Sequence, residues 1–325
     1  MKILILMLGR IGDIILSTPF IKLLKNKFPD SEIDLICSKH NYQILMNNPN
    51  ISNLIIYSKK FGYHFSILLR LISNKYDLYI DPKDHYSTES YIFSRIVRAK
   101  TKIGFVKEKR NNFHFKISQE SPLRTQHFSL RVMQPFNYLE IEIPKIPPKP
   151  ILYENNSSRK YVDEFLQKIP TENIKIQINI SASKQIRIWD MINWQKVIDN
   201  FKNNNNISFI ITYELKHKEL AIALSGENIY KFNSRNISDI VSIVSKCNIV
   251  ISPDTSIVHI ASAFNKPIIA LYTSNDQNFV SFAPLSDINF PLFPPNESGD
   301  INQISVKMVV NKLKNVLNIL QDAYN

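Results

Sequence analysis

Short apolar runs rich in β-branched residues alternate with longer amphipathic stretches along almost the whole chain. That alternation leaves few architectures open. A strand apolar on both faces must be covered on both sides, and strands separated by a helix's length of chain pair in parallel, so the pattern specifies βαβ units. In the first half it places strands near Lys2–Leu8, Ile33–Cys37, Asn53–Tyr57, Asp77–Asp81 and Thr101–Phe105. Helices are expected between them, near Ile14–Phe28, Asn41–Asn47, Phe65–Asn74 and Ser87–Val97. The second half repeats the alternation. Its strands are expected near Ile174–Ile180, Ile207–Thr212, Ile249–Ser252 and Pro267–Tyr272, and its helices near Asp190–Lys202, Lys216–Leu224, Ile237–Lys246, Thr255–Phe264 and Ile304–Leu320.

The interruption lies at Ile143-Pro144-Lys145-Ile146-Pro147-Pro148-Lys149-Pro150, whose prolines remove backbone donors and enforce extended geometry. A chain of 325 residues is about twice a common domain of roughly 150. We therefore expect two doubly wound, Rossmann-like α/β domains, 1–146 and 147–325, with the closing helix free to pack back on the first. Ligands of such sheets bind beyond the carboxyl ends of the strands, so function is expected in an interdomain cleft.

Composition narrows the class. Hydrophobic residues at 44% and charged residues at 21% describe a folded protein, not a disordered or coiled-coil one. The net charge of +12 favours polyanionic partners: phosphorylated substrates, anionic lipid or nucleic acid. Cys37 and Cys247 stand far apart in apolar runs, which fits a reducing compartment and neither a disulfide framework nor a zinc site. The apolar start ends at Gly9-Arg10 with Asp13 close behind, so it reads as a buried strand rather than a secretory signal. No apolar run has the ~18 residues that span a bilayer, and any membrane contact is expected to be peripheral.

Glycine is scarce, at 6 residues, so the turn Gly9-Arg10-Ile11-Gly12-Asp13 after the first strand stands out. It presents backbone N–H groups and one carboxylate at a strand's carboxyl end. It lacks the dinucleotide fingerprint and the Lys-Ser/Thr pair of a P-loop. Asp13 fits helix capping as well as chemistry. A second run, Ser252-Pro253-Asp254-Thr255-Ser256-Ile257-Val258-His259, ends a strand and opens a small-residue helix whose free N–H groups and hydroxyls suit a diphosphate. The plainer alternative makes Asp254 an N-cap and His259 a core residue. In a third run, Ser183, Lys184 and Arg187 combine a hydroxyl with two cations able to meet phosphate; Trp189 and Trp194 read as core.

Gly12-Asp13 followed by Pro19, Arg187-x-Trp189, and Asp254-Thr255 followed by His259-Ile260-Ala261 resemble the glycosyltransferase family 9 heptosyltransferases, in order and through nearly the whole chain. The resemblance implies a GT-B fold and inverting transfer of heptose from ADP-heptose onto the lipopolysaccharide or lipooligosaccharide core. It implies Asp13 as catalytic base, Asp254, Thr255, Ser256 and His259 at the donor sugar and diphosphate, and Ser183, Lys184 and Arg187 at the nucleotide phosphates. Arg10, Gly12, Lys59 and Lys60 are the acceptor-side candidates. The chain departs from the family at Ser256, where glycine is usual, at Thr273-Ser274-Asn275-Asp276, and at Arg187, where lysine is usual. These departures leave a hexose or hexosamine donor as the alternative. No Asp-x-Asp or His/Cys cluster appears, so neither metal nor other cofactor is expected.

The expected partners are a nucleotide sugar, the lipopolysaccharide-core acceptor and an anionic membrane surface, at the cytoplasmic face of the inner membrane. The surface is suggested by Arg95, Arg98, Lys100, Lys102, Lys107, Lys109, Arg110 and Lys116, opposed by Glu108 alone, and by the Lys59–Phe65 segment. No recognition helix or RNA-binding motif accompanies this charge, so nucleic acid is not expected. A noncatalytic sugar-nucleotide binder remains the alternative from another class.

Overall fold

The computed structural model describes residues 1–58, 67, 69, 71–83, 87–106, 112–118, 125–274, 276–295 and 299–322. The chain divides into two compact units, Met1–Tyr153 and Glu154–Asn325, a few residues past the proline run. In the first, β1 (Lys2–Met7), β2 (Glu32–Ser38), β3 (Asn53–Tyr57), β4 (Lys75–Asp81), β5 (Arg98–Val106) and β6 (Phe115–Ser118) form a sheet in the order β3-β2-β1-β4-β5-β6. In the second, β7 (Ile174–Asn179), β8 (Ile207–Thr212), β9 (Ile229–Phe232), β10 (Ile249–Pro253), β11 (Ile268–Leu271) and β12 (Asn289–Leu292) run β12-β11-β10-β7-β8-β9. Every described pairing is parallel. Each sheet is doubly wound, and strand order reverses beside β1 in one and beside β7 in the other.

The central strands are buried on both faces, as covered parallel sheets require. In the second unit Trp189 and Trp194 are both fully buried and meet edge to face, centroids 4.7 Å apart. Trp189 Nε1 donates to the Ile304 carbonyl at 3.1 Å. The closing helix is Val306–Asp322, and its apolar stripe, Val309, Val310, Leu313, Val316 and Leu317, belongs to the core of the second unit.

One helix expected over Ile14–Phe28 is two, Ile11–Leu16 and Thr18–Lys27. Pro19 has no N–H for the Ile15 carbonyl, and the Thr18 hydroxyl donates to that carbonyl instead, at 2.7 Å. Both cysteines are buried and free, and burial pushes each thiol up to about 12. Among the described residues, no helix is long and apolar enough to cross a membrane.

Candidate active site

In the first unit the reversal of strand order puts the ends of β1 and β4 side by side. There the chain turns through Leu8, Gly9 and Arg10 into the helix Ile11–Leu16. Asp13 is the third residue of that helix, and its Oδ2 accepts the Arg10 N–H at 3.0 Å. The carboxylate therefore has a capping contact, from the third helical position rather than as N-cap. Gly9 allows a close approach: a Cβ there would lie 3.0 Å from Asp13 Cβ and 3.1 Å from its Oδ2, so the Asp13 side chain would have to shift. Fully buried Asn41 holds the turn, donating to the Met7 and Gly9 carbonyls at 3.2 and 2.9 Å and accepting the Ser38 N–H at 2.9 Å.

Asp13 lines a recess of about 40 Å³ together with Gly9, Ser17, Asp81, Lys83 and Ser87. Asp81 closes β4 at 1% exposure, accepting from the Ser90 hydroxyl and, at 3.2 Å, from the Lys83 N–H. Arg10 is exposed and Gly12 half-buried. Lys59 and Lys60 lie outside the described residues, as do Lys107, Lys109 and Arg110. The cation run is not a uniform surface. Lys102 is buried and donates to the Ser94 carbonyl at 2.7 Å, and Lys100 pairs with Asp77 at 2.7 Å; Arg95, Arg98 and Lys116 are exposed.

In the second unit the reversal lies between β7 and β10. The loop after β7 carries Ser183 and Lys184, both exposed, and then Arg187. Arg187 Nη1 reaches across to the turn after β10, 2.9 Å from Asp254 Oδ2 and 3.0 Å from the Asp254 carbonyl oxygen. Burial raises the pKa of Asp254, and the Arg187 guanidinium is the main opposing influence. Thr255, not Asp254, is the N-cap of the helix Ser256–Ala263, its Oγ1 accepting the Ile257 N–H at 3.3 Å. Ser256 opens that helix, half-buried. His259 sits one turn further in, buried, its ring centroid 6.3 Å from that of Phe282.

Two further strand ends contribute. Asp276 caps the helix Gln277–Phe282 and also accepts from the Ser274 hydroxyl at 2.9 Å. Partial burial opposes ionisation of Asp276, but the hydrogen bonds outweigh it and hold its pKa low. After β8, His217 Nδ1 lies 2.8 Å from Ser181 Oγ, and burial, aided by Lys216, lowers its pKa. The arrangement offers an anion a helix N-terminus, hydroxyls and cations at one sheet edge.

The family model for glycosyltransferase family 9 (heptosyltransferase) matches residues 65–291. This chain belongs to glycosyltransferase family 9. The lipopolysaccharide core heptosyltransferase OpsX of Haemophilus influenzae is 27% identical over 88% of this chain and 82% of its own. Lipopolysaccharide heptosyltransferase 3 of Escherichia coli K12 is 24% identical over 82% of this chain and 81% of its own. Among solved structures, a family 9 glycosyltransferase of Veillonella parvula superposes with a TM-score of 0.83 at 18% identity, covering 97% of each chain. The ADP-heptose lipopolysaccharide heptosyltransferase II of E. coli gives 0.79 at 17% identity, covering 99% of this chain and 100% of its own. The fold is GT-B, and this family 9 member is a glycosyltransferase.

Within that fold the chain brings Ser183, Lys184, Arg187, Asp254, Thr255 and Ser256 to one strand-order reversal and Arg10, Gly12 and Asp13 to the other. Asn41, Asp81, Asn179 and Ser181 did not stand out as site residues in the sequence. Their signal was positional, since Asp81 and Asn179 are the last residues of β4 and β7. Among the described residues, no group of three His, Cys, Asp or Glu side chains is placed to hold a metal ion.

Proposed function

We propose that this glycosyltransferase moves heptose from ADP-heptose onto the lipopolysaccharide inner core with inversion at the anomeric carbon. The observation that carries the reading is the pair of strand-order reversals in a family 9 chain. One bears Asp13 in a Gly9-shaped turn, and the other bears the Asp254-Thr255-Ser256 turn clamped by Arg187. The relatives named above support heptose as the sugar and the lipopolysaccharide core as the acceptor, and the ADP-heptose heptosyltransferase II of E. coli shares the fold.

In this reading Asp13 takes the proton of an acceptor hydroxyl as the oxygen attacks the anomeric carbon. The bond from that carbon to the β-phosphate oxygen breaks, and ADP leaves with the electron pair. A carboxylate is a far weaker base than an alkoxide, so proton transfer comes late, when the acceptor oxygen is already acidified by bonding. Charge gathering on the diphosphate is met by the N–H group of Ser256, the Thr255 hydroxyl and Lys184. Arg187 acts first on Asp254, fixing the shape of the turn. His259 is assigned to the donor side, and Ser183 to the nucleotide phosphates. Arg10, Gly12, Lys59 and Lys60 are the residues this reading assigns to the acceptor. The enzyme works at the cytoplasmic face of the inner membrane, drawn to anionic lipid by exposed cations such as Arg95 and Arg98; salt-reversible sedimentation with anionic vesicles tests this.

The deciding experiment presents the purified protein with ADP-heptose, UDP-hexoses and UDP-hexosamines, reading thermal shift and transfer to a heptose-deficient core acceptor. A shift and turnover with ADP-heptose are expected, with turnover lost by a factor of about 10³ or more in Asp13→Asn while ADP still binds. A response confined to a UDP sugar overturns the donor, and undiminished turnover in Asp13→Asn overturns the base.

A further inference from the structure

Asn179 closes β7 at 3% exposure and commits its side chain to the two segments of the donor edge. Its Oδ1 accepts the Ser181 N–H at 3.2 Å. Its Nδ2 donates to the Ser181 carbonyl at 2.9 Å, to Ser252 Oγ at 3.0 Å and to Thr255 Oγ1 at 3.3 Å. An amide has two hydrogens for these three acceptors, so the neighbouring hydroxyls share one. Thr255 Oγ1 also accepts from the Ile257 N–H, at 3.3 Å. With both acceptor positions of that hydroxyl filled, its proton can only be given away. Ser252 Oγ gives its own proton to the Pro253 carbonyl at 2.8 Å and lies 3.1 Å from Thr255 Oγ1, so it can accept from Thr255 until a phosphate oxygen, the stronger acceptor, takes that proton.

We propose that Asn179 is a positioning residue of the donor site: its amide orients the Thr255 hydroxyl as a hydrogen-bond donor to a nucleoside diphosphate, and its grip on Ser181 registers the 181–187 loop with the helix start at Thr255. The proposal rests on the donor reading above and adds a residue and a polarity to it. An amide is required because a carboxylate of the same shape would accept from Thr255, turn its proton inward and add a negative charge beside the phosphates.

Asn179→Asp makes that reversal. The assay measures the ADP dissociation constant by calorimetry, and KM for donor and acceptor, for wild type and variant between pH 5.5 and 8.5. At pH 8 the donor KM and the ADP dissociation constant should rise by about 10- to 100-fold, with the acceptor KM and kcat little changed. As pH falls, protonation restores a donor at position 179, and the ratio to wild type should shrink. The other charged groups at this edge are Asp254, Arg187, Lys184, Asp276, and, beside Ser181, His217, Lys216 and Glu214. They are common to both proteins, so the ratio isolates the new carboxyl. Asn179→Ala should give a smaller rise that does not depend on pH, and keeps the test alive if the Asp variant does not fold. A wild-type donor KM in a folded variant, or a deficit in Asn179→Asp that ignores pH, overturns the inference alone. Wild-type protein that binds neither ADP nor ADP-heptose overturns the donor reading, and this inference with it.

Discussion

Replacing Arg187 with glutamine strips a buried carboxylate of its cation, and the cost follows from the geometry. The Asp254 side chain is 9% exposed and that of Arg187 22%, and Nη1 reaches both the carboxylate and the carbonyl of residue 254. Removing one partner of a buried pair costs about 3–5 kcal/mol, and a charge-assisted hydrogen bond about 1.5–3. Because Arg187 is partly solvated, the lower range applies, about 2–3 kcal/mol at pH 8. For a unit of this size that lowers its thermal midpoint by about 5–10 °C. The pH dependence supplies a second check. Burial raises the folded pKa of Asp254 above its unfolded value, so its favourable contribution is present below the unfolded pKa and lost as pH rises through the folded one. Without Arg187 that folded pKa climbs further, so the deficit of Arg187→Gln is largest at pH 8 and narrows toward pH 5. Urea and thermal unfolding followed by circular dichroism at both values measure it. The double variant Arg187→Gln with Asp254→Asn should recover most of the loss. A variant as stable as wild type at pH 8, or a deficit equal at pH 5 and pH 8, refutes the reasoning.

Gly9→Ala forces a methyl group against Asp13 Cβ and Oδ2, so kcat should fall about tenfold or more with the ADP dissociation constant unchanged; steady-state kinetics with calorimetry measure this. Asp239 accepts from the Arg235 backbone N–H, Nε and Nη2 at 2.9, 2.9 and 2.8 Å, and these bonds overcome burial to hold its pKa low. Its contribution is present above the unfolded pKa and lost as pH falls through the folded one. Asp239→Asn should therefore lose about 1–2 kcal/mol at pH 7, allowing for solvent around Arg235, and match wild type in strong acid, as read by urea unfolding. Exhaustive chelation should leave turnover intact; its loss, with rescue by magnesium or manganese, would require a metal.

Strands buried on both faces were readable because their apolar runs need no partner to be recognised: β1, β2, β7, β8 and β10 fall within a residue or so of their expected bounds, and the edge strand β3 was readable too, from its unbroken Leu54-Ile55-Ile56 run. The strands that sequence reasoning passed over, β6, β9 and β12, all lie at sheet edges. Each is a four-residue segment, and Lys116, Lys231 or Pro291 breaks its apolar pattern. An edge strand needs only one neighbour, and tolerates the charge or proline that a central strand rejects. Pro19 signalled a disturbance, but only the folded chain shows Thr18 taking over the hydrogen bond that proline cannot make.

Composition, periodicity and the order of three short motifs were enough to determine the fold class, the family resemblance and the strand ends where chemistry would be sought. Those properties are local: each is written in the spacing of neighbouring residues. The tertiary structure alone decided that Lys102 is buried rather than a surface cation, and that Arg187 clamps Asp254. It decided, too, that Asn179 joins the loop after β7 to the turn after β10. These contacts link residues far apart along the chain, and side-chain direction, burial and hydrogen-bond polarity exist only once the sheet has brought them together.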